Sequence, residues 1–150
     1  MKQKWTSDKS LLLSRTLTVV VLVLAAAMLF CIPIITEWYD AVSGQEPIRL
    51  VLNIALYLSD LIGIAAVFML YKMLRNIARE QVFVEANVHC FRIISWCCFA
   101  IAVIWLVLTY WRLLAFFVAF IAAFAGLILR VMKNLLASAV ELREEHDYTI

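Results

Sequence analysis

Short clusters of charge divide the chain into four long apolar runs, and that division constrains the fold more than any other feature. About 20 apolar residues are needed to cross ~30 Å of hydrocarbon as a helix rising ~1.5 Å per residue. Inside lipid, each backbone N–H and C=O must find a partner within the protein, which favours helices for runs of this kind. The expected spans are residues 17–35, 50–71, 93–110 and 113–132. Composition agrees: 66% of residues are hydrophobic, 16% are charged and the mean hydropathy is +0.97. A soluble domain has about 45–50% apolar and about 25% charged residues. The expectation is one all-α domain over residues 1–150, an integral membrane four-helix bundle.

Lys2, Lys4, Lys9 and Arg15 precede the first run, as in a signal peptide, but a signal h-region spans only about 7–15 residues. The first run is longer and is read as a retained span. Only Thr109 to Arg112 separate the last two runs, so a tight antiparallel hairpin is expected there. One continuous helix would bury Arg112 in mid-membrane.

Basic residues orient the spans. Of the 13 Lys and Arg, only Arg49 and Arg112 fall in the two connections on one side. The remainder lie in the N-terminal segment, the 72–92 connection and the C-terminal segment from Arg130 onward. Basic residues concentrate on the cytoplasmic side, so both termini and the 72–92 connection are expected there (N-in/C-in). Trp38, Tyr39, Tyr110 and Trp111 mark the opposite boundary, where amphipathic rings favour the headgroup layer.

The cytoplasmic parts carry the helical extensions. Leu74, Ile77, Ala78, Val82 and Phe83 recur at roughly helical spacing, which predicts that the second helix continues past the membrane. A short amphipathic piece around Val82 to Asn87 is expected along the membrane surface, with a solvated connector as the alternative. In the 133–150 tail, Leu135, Leu136, Ala139, Val140 and Leu142 form an apolar stripe, followed by Glu141, Glu144, Glu145 and Asp147 and the terminal Ile150. These acids are candidates for docking on the basic connection or on a soluble partner.

The stretch Glu80 to Ile94 resembles a loop motif of a bacterial membrane family catalogued as domain of unknown function 2975. There a Phe, an Asn four residues later and an Arg precede the third span; Phe83, Asn87 and Arg92 stand in those places here. The ending Glu141 to Ile150 is similar to that family's acidic, Thr-Ile-terminated tail. Gln81 stands where the family commonly has Gly, which weakens the case for a sharp turn before Phe83. The resemblance implies four transmembrane helices, no established activity and a regulatory role at the membrane, with a helix-turn-helix regulator as a partner. Phe83, Asn87, Arg92 and the tail residues are accordingly the partner-binding candidates.

Inside the membrane, Asp60 lies near the middle of the second span, where a carboxylate costs about 2.5–3.5 kcal/mol on insertion scales and should face protein or water. Asn53 and Gly63 share its helix face. As a neutral acid it can donate one hydrogen bond across the bundle, the favoured reading; as a titrating one it could carry a proton or a cation. Cys31, Cys90, Cys97 and Cys98 make no CxxC pair and are expected as free thiols. No phosphate loop, nucleophile elbow or catalytic carboxylate pair occurs, and no metal-ligand spacing, so no catalytic residue, cofactor or metal is expected. The basic residues form a membrane collar and not a nucleic-acid surface. Three functions follow as expectations. The first is a non-enzymatic regulator or interaction protein with a cytoplasmic partner. The second is a homo-oligomeric transporter or channel component using Asp60, and the third an accessory subunit packed through Ala25 to Ala27 or Ala119 to Gly126.

Overall fold

The computed structural model describes the backbone of residues 2–149 and the side chains of residues 9–149. Ile150 and the side chains of Lys2 and Lys4 therefore lie outside the described residues. The described residues form four helices, α1 (Lys2–Ser43), α2 (Arg49–Ala78), α3 (Glu85–Leu108) and α4 (Ala115–Tyr148). All four are long and apolar enough to cross a membrane. The all-α, four-span reading is therefore the observed architecture. Each helix is longer than its expected span. Most of the surplus of α1 and all of that of α4 lie at the end that carries most of the basic residues, the basic end; the opposite one is the aromatic end.

The connections show why the helices stop where they do. Gly44 follows the last residue of α1 with φ +60, a left-handed conformation that Gly adopts without cost. Asp40 Oδ1 then accepts a hydrogen bond from Ile48 N (3.3 Å), satisfying an orphan donor at the start of α2. At the aromatic end, α3 and α4 are joined by residues 109–114, the tight hairpin the sequence predicts. At the basic end, α2 and α3 are joined by residues 79–84.

Helices pack in chain order: α1 on α2, α2 on α3, and α3 on α4, while α1 and α4 do not close on each other. Between them lies a groove of about 250 Å³ at the aromatic end, lined by Ile35, Tyr39, Trp105 and Val118 among others. The core nearest this end gathers Ile48, Leu52, Ala55, Leu108 and Ala115. Much apolar surface faces outward, with Phe30 83% exposed and Leu113 77%. In water such a surface would be a liability, whereas in a bilayer it is the lipid contact.

The seams differ in chemistry. Gly126 of α4 lies so close to α3 that a Cβ there would sit 3.2 Å from Cys98 Cβ and 3.3 Å from the Phe99 ring. Ala115 and Ala119 are buried on the same helix. Small residues allow such close approach, which replaces the hydrophobic drive that lipid does not provide. Ser95 Oγ donates to Gly126 O at 2.9 Å and locks the register. Between α2 and α3, Trp105 Nε1 donates to Ser59 Oγ at 3.0 Å. Between α1 and α2, the Thr36 hydroxyl, fully buried, lies 2.7 Å from Asn53 Oδ1 and 3.1 Å from Pro33 O. Its single proton serves one of these acceptors at a time.

Candidate functional site: the basic end and the intramembrane polar residues

Asn87 is 1% exposed and organises the 79–84 connection. Its Nδ2 donates to Gln81 O and Val82 O, both at 2.9 Å, and its Oδ1 accepts from Asn76 Nδ2 at 3.0 Å. A side chain with both donors and its acceptor engaged inside the fold is a brace for the turn, not a surface for a partner. Of the three motif positions, then, Asn87 holds structure, while Phe83 (45% exposed) and Arg92 remain accessible.

The turn itself is sharp despite Gln81. Glu80 takes φ +62, Gln81 N donates to Asn76 O (3.1 Å) and Glu80 N donates to Ile77 O (3.0 Å). This bond pair is the Schellman ending of a helix, with Glu80 at the position that usually holds Gly. The left-handed residue is therefore the one before Gln81, and Asn87 supplies the bonds that hold it. No separate amphipathic piece lies along the surface at Val82 to Asn87: the turn ends at Val84 and α3 begins at Glu85. The continuation of α2 past the span, to Ala78, follows the apolar spacing.

The tail is a direct extension of α4 to Tyr148. Val140 is buried (8% exposed), but every residue from Glu141 to Thr149 is exposed. That end projects as about 12 Å of bare helix at ~1.5 Å per residue. Glu141, Glu144, Glu145 and Asp147 form no ion pair with Lys72, Arg75, Arg79 or Arg92, so the tail is not docked on the basic connection. Structure thus places the acidic residues together on one exposed helix end, whereas Phe83 lies on the 79–84 connection and Arg92 near the start of α3.

Within the membrane, Asn53 makes the cross-helix bond and Asp60 does not. Asp60 Oδ2 is buried without a hydrogen-bond partner among the described residues. Thr36 opposite Asn53 and Arg15 opposite Tyr71 (3.0 Å) set the α1–α2 register, which puts Asp60 level with the turn of α1 around Ala27. No polar residue of α1 occurs in that turn. Arg112, at the aromatic end, donates to Glu46 O (2.6 Å) and lies over the Tyr39 ring at 5.8 Å, tying the two connections of that end together.

The sequence expectations omit Thr36 and Asn76, the partners of Asn53 and Asn87. Both stand on buried or half-buried stripes: Thr36 continues the series Thr18, Ala25, Ile32, and Asn76 lies one turn past Met73. Cysteines 31, 90, 97 and 98 are free thiols. Among the described residues, no three His, Cys, Asp or Glu side chains converge on a common point.

Four apolar helices, antiparallel in chain order, with polar bonds confined to seams and ends, define a multi-pass membrane protein. The chain belongs to the family described as "Protein of unknown function (DUF2975)", which matches residues 40–150. The match takes in α2, α3, α4 and the connections between them, and begins near the end of α1. No curated protein and no solved structure matches the chain.

Proposed function

We propose that the chain is a non-enzymatic interaction protein of the bacterial inner membrane that presents the acidic end of α4 to a basic surface on a cytoplasmic protein. The bias of Lys and Arg toward the basic end supports a cytoplasmic placement of that end. The observation that carries the proposal is the projecting helix, with Val140 its last buried residue and every residue from Glu141 to Thr149 exposed, and with four carboxylates that have no cationic partner among the described residues. Negative charge at a helix C-terminus opposes the macrodipole, at a cost of about 0.3–1 kcal/mol per exposed group at low ionic strength. A cationic partner would relieve that cost. Phe83, on the adjacent connection, and Arg92, near the start of α3, would add an apolar and a charged contact. The family resemblance points to a helix-turn-helix regulator as the partner.

Truncation after Val140 removes the bare segment and keeps the packed part of α4. Pull-down with the full chain should recover a partner that the truncated chain does not, and recovery should fall as salt is raised. Equal recovery with the truncated chain would remove the tail from the proposal.

Asp60 favours a second reading, a proton- or cation-coupled transporter component, because a buried carboxyl oxygen without a partner is costly unless it is used. Substrate passage would need further copies of the chain. Proton-driven flux in liposomes that disappears in Asp60→Asn supports this reading; equal flux in the variant rejects it.

A further inference from the structure

On the α3–α4 seam, one turn beyond the Ser95–Gly126 bond, Arg92, Trp96, Arg130 and Lys133 line a small groove of about 70 Å³. A single water needs only about 10–15 Å³ of such space. The Arg130 guanidinium lies 5.8 Å from the Trp96 ring centroid. Over the ring in this way, the planar guanidinium keeps N–H groups available for a bidentate acceptor such as two oxygens of a phosphate. Among the described residues, none of the three cations has a carboxylate within ion-pair distance; the ion pair found, Arg49 with Glu37, joins α2 to α1. Basic side chains at a membrane boundary ordinarily spread toward water. Here three of them, from two helices, converge on one groove.

The same side of the seam continues toward the membrane interior as an apolar groove of about 330 Å³. Its walls include Phe99, Val103 and Leu106 of α3 and Phe116, Phe120 and Ala123 of α4. Arg92, Trp96, Phe99, Val103 and Leu106 follow one another at three- and four-residue steps and so share a helix face, as do Phe116, Phe120, Ala123 and Arg130. A cationic groove and an apolar one thus follow each other along the same faces of two helices.

We propose that this seam binds one anionic phospholipid, its phosphate held by Arg92, Arg130 and Lys133 beside Trp96 and an acyl chain lying along the apolar groove below. Basic pockets between transmembrane helices recognise anionic headgroups in this way. The apolar groove selects a lipid over free phosphate, and the uncompensated charge selects an anionic headgroup over a zwitterionic one. The site shares Arg92 with the partner surface proposed above but uses none of the tail, so loss of the lipid preference on changing Arg130 and Lys133 and loss of the partner on truncating the tail are read separately.

Native mass spectrometry of the full chain in detergent, titrated with phosphatidylglycerol, phosphatidylcholine or inorganic phosphate, tests this. The full chain should bind phosphatidylglycerol at least about tenfold more tightly than phosphatidylcholine, given three cations at the headgroup. Arg130→Gln combined with Lys133→Gln should reduce that ratio to about twofold or less, with helix content by circular dichroism unchanged. Lys133→Arg should keep the preference, and Arg92→Gln, at the exposed rim, should weaken it in part. Equal binding of the two lipids by the full chain overturns the proposal, as does a preference that survives the double substitution. Displacement of the lipid by millimolar inorganic phosphate would assign the groove to free phosphate and overturn the lipid assignment.

Discussion

The seams α1–α2 and α3–α4 are both antiparallel helix pairs in the same lipid, yet they are held by different means. At α3–α4, Gly126, Ala115 and Ala119 let the backbones approach, and the Ser95 bond to Gly126 O sits within a close-packed contact. At α1–α2 no glycine lies in the contact. Thr36 with Asn53 within the membrane and Arg15 with Tyr71 at its edge supply the specific bonds. Lipid tails are as apolar as a leucine face, so burying leucines adds little preference for one helix partner over lipid. Close van der Waals contact or a hydrogen bond must supply it, and each seam relies chiefly on one of these. The family match follows the same division: it covers the close-packed seam in full and leaves most of α1 outside.

Four substitutions would break or sharpen this contrast. Gly126→Leu should have the largest effect. Its side chain has no room against Cys98 and Phe99, and a loss of about 3 kcal/mol or more is expected in denaturant unfolding of the detergent-solubilised protein. Asn87→Ala tests the link that joins the two hairpins. Removing it leaves Gln81 O, Val82 O and Asn76 Nδ2 without their partner, a cost of about 1–3 kcal/mol. Faster amide hydrogen exchange over residues 79–84 would locate that loss. Thr36→Val keeps shape and removes the hydroxyl. Membrane hydrogen bonds average ~0.6 kcal/mol, so unfolding should shift by about that amount and by less than Gly126→Leu. An equal loss from the two would erase the distinction between the seams. Glu80→Gly should be the mildest, and stabilising by up to about 1 kcal/mol, because glycine takes φ +62 without the strain a side chain meets there.

The four spans, the hairpin at the aromatic end and the extension of α2 are legible in the residue pattern, because lipid imposes a length and a composition on every crossing. The candidate residues are legible unevenly, for a physical reason. Asn87 stands out by its motif, but only its burial and its three side-chain hydrogen bonds reveal a brace in place of a contact surface. Asn53 and Asp60 share a helix face seven residues apart, yet Asn53 meets Thr36 while Asp60 Oδ2 meets no polar group among the described residues. A spacing along one helix says which residues look the same way, not what stands opposite them.

The division of labour follows from the range of the forces. Apolar run length and the placement of 13 basic residues are properties of the chain in order, and they suffice for span number and for an expected orientation. Which small residue meets which neighbour, which polar group is paired and where three cations converge depend on the register between helices. That register is set by contacts such as Gly126 against Cys98 and Thr36 against Asn53, between residues distant in sequence. Only the packed structure brings them together.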